Sequence, residues 1–284
     1  MRVAVVGCGH MGRIHAQKLL GTVELVVVDP AGVPEGLPAA EEVPRELDAA
    51  IVAVPASAHA EVAIPLLERG VPCLVEKPLA STGRDAALLA RYRACSVNHQ
   101  ERFNPAVLAL PDDTRPRYIR VERLAAPSAR GVDVDVVHDL MIHDLDLLLH
   151  LAGGTVTELR AVGVPVVTAG VDVAEVWLET STGCVATLTA SRISRGSSRR
   201  FRLMDEGRYW SLDLQGGTGS RVRWGEGSLS PEKLDVAEGD ALEAMHAAFF
   251  AAVRGEGDYP CPAKEAAVAV ALADRIAEAI ERRR

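Results

Sequence analysis

The sequence lacks a long apolar run, an excess of basic residues and cysteines spaced as metal ligands. No apolar stretch reaches the ~18 residues that a bilayer-spanning helix needs. The formal net charge is -8, which argues against nucleic acid as the main partner. The five cysteines are an odd number without metal-ligand spacing, so we expect no bound metal and a reducing, cytoplasmic environment.

The sequence also lacks internal repeats and low-complexity tracts. We expect no signal peptide, because a β-branched strand pattern begins at Arg2. Hydrophobic residues make up 48% and charged residues 25% of the 284 positions. This balance is typical of an ordinary globular protein rather than a disordered or membrane-spanning one. The length predicts about two domains.

The first stretch with a chemical signature runs from residue 2 to residue 29. A buried-strand pattern over 2–6 is followed by a glycine-rich loop and then by a helical pattern over 14–20. A second apolar run over 23–28 ends on Asp29. This order of strand, glycine loop, helix, strand and acid is the fingerprint of a dinucleotide-binding βαβ unit.

The three glycines of the loop have separate tasks in such a unit. Gly7 permits the tight turn, Gly9 lets backbone amides approach a pyrophosphate, and Gly12 lets the helix lie close to the strand. The helix N-terminus supplies free N–H groups for the phosphates. Asp29 stands where it can accept hydrogen bonds from a ribose diol, which predicts NAD rather than NADP. A purely structural glycine turn is the alternative.

The rest of the first domain departs from a full Rossmann repeat. Residues 30–44 are too short and too rich in proline and glycine for a normal crossover helix and strand. A strand over 49–54 ends at Pro55, and a later strand ends in Glu76-Lys77-Pro78. Ligands of such sheets bind at the carboxyl ends of the strands, so we expect the glycine loop, Asp29, Pro55 and Lys77 to share one rim.

The chain changes character near residue 100. A strand over 118–124, a helix over 136–151 and a series of short strands between 157 and 224 predict a mostly antiparallel sheet. We therefore predict an α/β protein with a Rossmann domain over 1–99 and an α+β domain over 100–258. A helix within 259–284 is expected to pack back on the first domain.

The predicted helix over 136–151 carries a polar stripe. Asp139 and His143 are four residues apart and share one face, which Asp146 and His150 continue. Three interpretations compete, because buried charge is costly unless it is paired. The stripe is a solvated face or a buried structural pair; it is a metal site of Asp139, His143 and Asp146; or Asp139 orients His143 as a general base.

Lys77 favours the third interpretation. An ammonium group at the strand end, where a nicotinamide should sit, can polarise a hydroxyl or carbonyl oxygen. A lysine at a strand end is by itself usually just exposed. Its position between the glycine loop and the Asp/His helix makes a catalytic role the better interpretation.

Three motifs together resemble the glucose-fructose oxidoreductase / inositol dehydrogenase / MocA family: the glycine loop, Glu76-Lys77-Pro78, and Asp139-x-x-x-His143-Asp144. The resemblance implies NAD as cofactor, catalysis by Lys77, Asp139 and His143, and a second domain whose large open sheet serves oligomerisation. The residues that we assign to the cofactor site are Gly7, Gly9, His10, Met11, Gly12, Asp29, Pro55, His59, Glu76 and Lys77.

The substrate prediction depends on weaker motifs. Residues 101–105, 139–144 and 191–194 resemble the branch that contains the UDP-N-acetylglucosamine 3-dehydrogenases. This implies oxidation of a sugar 3-hydroxyl, with Arg102, Asn104 and Arg192 as substrate contacts. Arginine forks suit a diphosphate, although any single one of these arginines is more simply a solvated side chain. A free-sugar or polyol dehydrogenase and a silent NAD- or sugar-binding regulator are the alternatives.

Overall fold

The computed structural model describes residues 1–127, 135–225 and 227–283. The chain divides into two compact units. The first contains Met1–His99 and Leu242–Val270, and the second contains Gln100–Ala241 and Ala271–Arg284. This division differs from the sequence prediction, which placed residues 242–258 in the second domain and the whole of 259–284 on the first.

Strands and helices fill most of the described chain. The strands are β1 (Arg2–Val6), β2 (Glu24–Val28), β3 (Ala49–Val52), β4 (Cys73–Val75), β5 (Cys95–Val97), β6 (Tyr118–Leu124), β7 (Val156–Val164), β8 (Val173–Thr180), β9 (Val185–Ser191), β10 (Ser198–Asp205), β11 (Arg208–Asp213), β12 (Thr218–Gly225) and β13 (Ser228–Lys233). The α-helices are α1 (His10–Leu19), α2 (His59–Glu68), α3 (Gly83–Leu89), α4 (Pro105–Leu108), α5 (Ile142–Ala152), α6 (Ala241–Val253) and α7 (Ala263–Glu281). None of the described helices is both long and apolar enough to cross a membrane.

The first unit is built on a five-stranded parallel sheet in the order β2-β1-β3-β4-β5. Its strands are short continuous apolar runs, and Val3, Val5, Ile51 and Leu74 are fully buried. Parallel sheets are covered on both faces, so their strands do not alternate between apolar and polar residues. The predicted Rossmann fold of the first unit is confirmed.

Residues 29–48, all of which the structure describes, form no helix or strand. The segment touches the sheet edge through a single parallel bridge between Val27 and Ala39. The Val27 N–H donates to the Pro38 carbonyl at 2.8 Å, and the Ala40 N–H donates to the Val27 carbonyl at 2.9 Å. This single bridge takes the place beside β2 where a full Rossmann repeat would have another strand. The segment is short, as the sequence indicated.

The second unit contains an eight-stranded sheet in the order β13-β12-β11-β10-β6-β9-β8-β7. Neighbouring strands are antiparallel except β6 and β9, which run parallel. Burial alternates along the strands: Ala174, Val176 and Leu178 of β8 are buried, while Glu175 and Trp177 between them are more exposed. This alternation is typical of an antiparallel sheet with one covered face. The predicted large, mostly antiparallel sheet is confirmed; strand β13 was not predicted.

The helix that carries the Asp/His motif does not begin as a regular α-helix. Residues Val137–Met141 form a π-helical turn, and α5 follows directly and ends at Gly153, whose φ is 65°. The segment predicted as a helix over 136–151 is therefore helical, but its first turn is π-helical rather than α-helical. Single π-helical turns inside helices are frequent at functional sites.

Candidate active site

The glycine loop after β1 leaves no room for side chains at two of its three glycines. Gly7 has a φ of +92°, and a Cβ there would stand 2.6 Å from the carbonyl oxygen of Ala53. A Cβ on Gly12 would overlap the carbonyl oxygen of Gly7. A Cβ on Gly9 would meet nothing within 4 Å. The loop therefore packs closely against neighbouring backbone at Gly7 and Gly12 and has open space at Gly9, as a phosphate-binding loop needs.

The start of α1 is prepared for an anion. Gly9 is the N-cap and contributes no side-chain hydrogen bond, so the first amides of the helix are left for another acceptor. Asp29 holds the loop, because its Oδ2 accepts the Cys8 N–H and its Oδ1 accepts the Ala31 N–H at 2.8 Å. Arg13 donates to the Cys8 carbonyl at 3.1 Å. These residues fit the pyrophosphate and adenosine ribose of a dinucleotide.

The other residues predicted around the cofactor differ in exposure. His10 and Pro55 are exposed, and Met11 is half-buried. His10 is the first residue of α1 and Pro55 caps a short 3-10 turn at Ala56–Ala58. Both lie just beyond the carboxyl ends of strands, at the rim that the sequence predicted for the ligand.

His59 connects two of the loops at this rim. Its ring is buried, with Nε2 3.0 Å from the carbonyl oxygen of Val54 and Nδ1 3.0 Å from that of Pro78. Burial lowers the pKa of His59, although hydrogen bonds to backbone carbonyls oppose this effect. The imidazole therefore lies between the chain after β3 and the chain after β4, and its N–H can donate to one of these carbonyls.

Glu76 is buried at the end of β4 and its carboxylate is fully engaged. Oε1 accepts from His15 Nε2 at 2.7 Å and from Asn98 Nδ2 at 2.6 Å. Oε2 accepts the backbone N–H of Lys77 at 3.1 Å. Burial alone raises the pKa of Glu76, but the hydrogen bond and charge of His15, together with Asn98 and Lys77, lower it. Glu76 is therefore ionised at neutral pH.

Lys77 follows β4 directly and is half-buried, with a cis peptide bond to Pro78. Its side chain leaves the carboxyl end of a central strand of the sheet, between β3 and β5. This is the position that a residue needs in order to reach a ligand bound at the rim.

Asp139 and His143 lie on either side of the junction between the π turn and α5. Both side chains are half-buried. The next acid in the motif, Asp144, is buried and is bound by Arg123 through two hydrogen bonds of 2.8 Å. Burial raises the pKa of Asp144, and the Arg123 charge opposes that rise. Asp144 thus fixes α5 to strand β6.

Asp146, the third residue of the predicted stripe, is also a structural anchor. It is buried and accepts two hydrogen bonds from Arg102, at 2.8 and 2.7 Å. Arg102 in turn lies 3.3 Å from Nδ1 of the exposed His150. The interpretation of a buried structural pair therefore holds for Asp146. Among the residues that the structure describes, no group of three or more His, Cys, Asp or Glu side chains is arranged to hold a metal ion.

The residues predicted to contact substrate have protein partners. Arg102 forms the Asp146 pair described above. Asn104 is buried, caps α4, and donates to Glu101 Oε2 at 3.1 Å and to the Leu214 carbonyl at 2.8 Å. Arg192 Nε lies 3.9 Å from an Asp172 carboxylate oxygen. These contacts give Arg102 and Asn104 roles in packing the second unit.

Comparisons with known proteins show the family of the chain. Residues 1–96 match the oxidoreductase family with an NAD-binding Rossmann fold, and residues 123–209 match the GFO/IDH/MocA C-terminal domain. A UDP-N-acetylglucosamine 3-dehydrogenase of Acidithiobacillus ferrooxidans is 35% identical over 303 residues, covering 98% of this chain and 97% of its own. The chain belongs to the GFO/IDH/MocA oxidoreductases.

Other similar proteins vary in how much of this GFO/IDH/MocA oxidoreductase they match. A solved structure of the Acidithiobacillus ferrooxidans enzyme superposes with a TM-score of 0.92 at 36% identity, covering 99% of this chain and 98% of that one. A myo-inositol dehydrogenase of Streptomyces leeuwenhoekii is 34% identical, but over 57% of this chain and 59% of its own. The family is NAD-binding, as the glycine loop predicted.

Sequence reasoning missed two buried histidines of this GFO/IDH/MocA oxidoreductase, which are linked by hydrogen bonds through Glu76 to the backbone of Lys77. His15 Nδ1 is 2.7 Å from His246 Nε2, and both rings are buried. One signal was available: the buried residues of α1 are Gly12, His15, Ala16 and Leu19, so a histidine occupies the core-facing stripe of the helix. His246 gave the same signal, because it lies with Leu242, Met245 and Phe249 on the buried face of α6. The contact between the two rings, 231 residues apart in the chain, was not readable from the sequence.

Proposed function

We propose that this GFO/IDH/MocA oxidoreductase oxidises a secondary hydroxyl of a sugar to a ketone with NAD. The substrate that we propose is UDP-N-acetylglucosamine, or a related UDP-sugar, oxidised at its 3-hydroxyl. The observation that carries the proposal is the near-full-length likeness, in sequence and in fold, to an enzyme named for that reaction.

The first unit is proposed to hold NAD through main-chain groups more than through side chains. The open N-terminus of α1 and the space above Gly9 receive the pyrophosphate. Asp29, anchored by the Cys8 N–H, accepts hydrogen bonds from the ribose hydroxyls. Bound NAD supplies the hydride acceptor for the reaction.

The proposed chemistry separates a hydride from a proton. The Lys77 ammonium donates a hydrogen bond to the reacting oxygen and stabilises the charge that develops on it. His143 takes the hydroxyl proton as general base, while Asp139 orients the imidazole. With NAD as the hydride acceptor, the alcohol would become a ketone and its hydroxyl proton would remain on His143.

Substrate recognition is proposed to depend on the nucleotide part of the molecule. Remote binding energy can orient a reacting carbon and so contributes to turnover as well as to affinity. Of the three predicted contacts we keep Arg192, a buried arginine that directly follows strand β9. Arg102 is held by a bidentate pair with Asp146 and Asn104 by its capping bonds, so neither carries the substrate proposal.

We also propose that the protein is cytoplasmic and forms a homo-oligomer through the sheet of the second unit. Strand β8 presents Glu175 and Trp177 on the less buried face of that sheet, and Arg160 of β7 lies over the Trp177 ring at 5.7 Å. A broad, half-exposed sheet face of this kind suits a self-complementary contact.

Initial rates of NAD reduction test the substrate proposal directly. The panel is UDP-N-acetylglucosamine, free N-acetylglucosamine, glucose and myo-inositol, with Arg192→Ala measured beside the wild type. We expect the UDP conjugate to be turned over best, and Arg192→Ala to weaken its use more than that of any free sugar. If myo-inositol or glucose is turned over best, the polyol alternative that the inositol dehydrogenase relative favours takes its place.

A matched pair of histidine variants tests the chemistry. His143→Ala should lose ~100- to 10,000-fold in turnover, the usual contribution of a general base. NAD affinity should stay within a few-fold of the wild type in a fluorescence titration. His150→Ala is the control, because His150 lies on the same helix and is exposed. Equal effects of the two variants, or full activity of His143→Ala, would refute the assigned role.

A further inference from the structure

A chain of buried hydrogen bonds lies inside the first unit and ends at the backbone of Lys77. His246 bonds to His15, His15 bonds to Glu76 Oε1, and Glu76 Oε2 accepts the Lys77 N–H. Asn98 Nδ2 donates to Glu76 Oε1 as a second support. His15 is 0%, Asn98 2%, His246 4% and Glu76 6% exposed.

The direction of these bonds follows from the chemistry of the groups. The ionised Glu76 carboxylate only accepts, so His15 Nε2 carries a hydrogen and donates it. A single hydrogen lies between His15 Nδ1 and His246 Nε2, which are 2.7 Å apart. Both nitrogens of the His15 ring are thus engaged, and the ring cannot rotate without breaking a bond at each end.

Apolar side chains would fill this space at a lower free-energy cost, because a buried carboxylate and two buried imidazoles lose their hydration. A fully satisfied polar network in a core rigidifies the elements that it joins. His15 lies on α1, Glu76 follows β4, Asn98 follows β5 and His246 lies on α6. The network therefore connects the helix that opens at the glycine loop with the residue that precedes Lys77.

We propose that His15 is a positioning residue for Lys77. It acts through Glu76, which holds the Lys77 backbone N–H and so fixes the direction in which the lysine side chain leaves the strand. Because His15 belongs to α1, its hydrogen bond to Glu76 also sets the direction of the Lys77 side chain relative to α1, the helix proposed to receive the pyrophosphate. This inference rests on the catalytic role proposed for Lys77. In it, His15 and His246 contribute to the reaction by positioning Lys77, without touching the substrate.

Two substitutions at position 15 distinguish the two hydrogen bonds of the His15 ring, because each keeps one bond and loses the other. The side-chain amide nitrogen of glutamine can stand near the position of Nε2, so His15→Gln keeps the bond to Glu76. The amide of asparagine stands near Nδ1, so His15→Asn keeps the bond to His246 and loses the one to Glu76. A general loss of core packing affects both variants, whereas loss of positioning affects His15→Asn far more.

The first readout needs neither substrate nor cofactor. Hydrogen exchange of the Lys77 amide, followed by NMR, reports the bond to Glu76 directly. We expect exchange about tenfold faster in His15→Asn than in the wild type, and little change in His15→Gln. Equal exchange rates in all three proteins would overturn the proposal even if the proteins fold normally.

The second readout is a double-mutant cycle on turnover. His15→Asn should lower kcat by roughly 10- to 100-fold, as expected for a misplaced reacting group, with NAD affinity nearly unchanged. In a Lys77→Ala background the same substitution should change kcat by less than about threefold, because residues that act as a unit are not additive. Leu89→Ala, a fully buried residue of α3, gives the control for a general loss of thermal stability.

The outcomes distinguish failure of this inference from failure of the proposed function. Additive effects in the cycle, or a loss of kcat in His15→Gln as large as in His15→Asn, mean that His15 is only structural. If the wild type oxidises no sugar, the proposed function fails, and the hydrogen exchange of the Lys77 amide still decides whether His15 holds it.

Discussion

His138, which the sequence did not single out, is held between two carboxylates at the start of the helical segment that carries Asp139 and His143. Its Nδ1 lies 2.9 Å from Asp135 Oδ2 and its Nε2 lies 2.9 Å from Asp274 Oδ1 on α7. Burial on its own lowers the pKa of His138, but the hydrogen bonds and charges of the two acids outweigh this and raise it to about 8. Burial on its own raises the pKa of Asp135, but the hydrogen bonds from His138 and Val137 and the charge of His138 lower it.

This raised pKa makes stability depend on pH in a defined direction. The ordinary pKa of the residue is 6.5, and the raised folded value corresponds to about 2 kcal/mol in the free energy of unfolding. Because the folded pKa is the higher one, the stabilisation is fully present below pH 6.5 and is lost as the pH rises through about 8. The wild type should therefore lose about 2 kcal/mol from this group between pH 6 and pH 9.

Urea unfolding at a series of pH values measures this loss in the wild type and in His138→Gln. The glutamine side chain cannot titrate, so the difference between the two curves isolates His138 from every other group that titrates over the range. Asp274→Asn is a second variant and should remove part of the same pH dependence. Identical pH dependence in wild type and His138→Gln, or a His138 resonance that titrates at or below 6.5, would falsify the reasoning.

Three further predictions concern the cofactor loop and the buried charges. Asp29 should make NADH bind more tightly than NADPH, since a 2′-phosphate at ~5 Å costs several kcal/mol at an effective dielectric of ~20; tighter NADPH binding in titration contradicts this. Gly12→Ala should abolish NAD binding because its Cβ overlaps the Gly7 carbonyl, while Gly9→Ala should leave the fold intact as measured by Tm. Arg123→Met should lower the free energy of unfolding by ~3–5 kcal/mol, because it removes the arginine that pairs with the buried Asp144; unchanged urea unfolding would show that this ion pair contributes little.

The cofactor half of the site was predictable from sequence because its determinants are local. The turn at Gly7, the packing at Gly12 and the acid at Asp29 lie within one βαβ unit, where chain connectivity alone brings them together. The strand end at Lys77 was predictable for a related reason: a short apolar run followed by a charged residue marks where a buried strand ends. The antiparallel sheet followed from alternation and turn residues in the same way.

The partners of buried polar side chains were not predictable in this way, because they depend on contacts between distant segments. Arg102 looked available to a diphosphate, yet Asp146 binds it from 44 residues away. Asp146 of the polar stripe is an anchoring acid because Arg102 binds it, and the adjacent Asp144 is anchored by Arg123 of strand β6.

The sequence by itself determined the Rossmann fold, the cofactor class and the chemical motif, since each is encoded in residues that are neighbours in the chain. Only the tertiary structure decided which charged side chains are paired inside the protein and that α6 joins the first unit. It also decided that His246 is hydrogen-bonded to His15, which is hydrogen-bonded to Glu76. The physical reason is that a buried polar group must find a partner. Which partner it finds depends on how distant elements pack, and no local pattern records that.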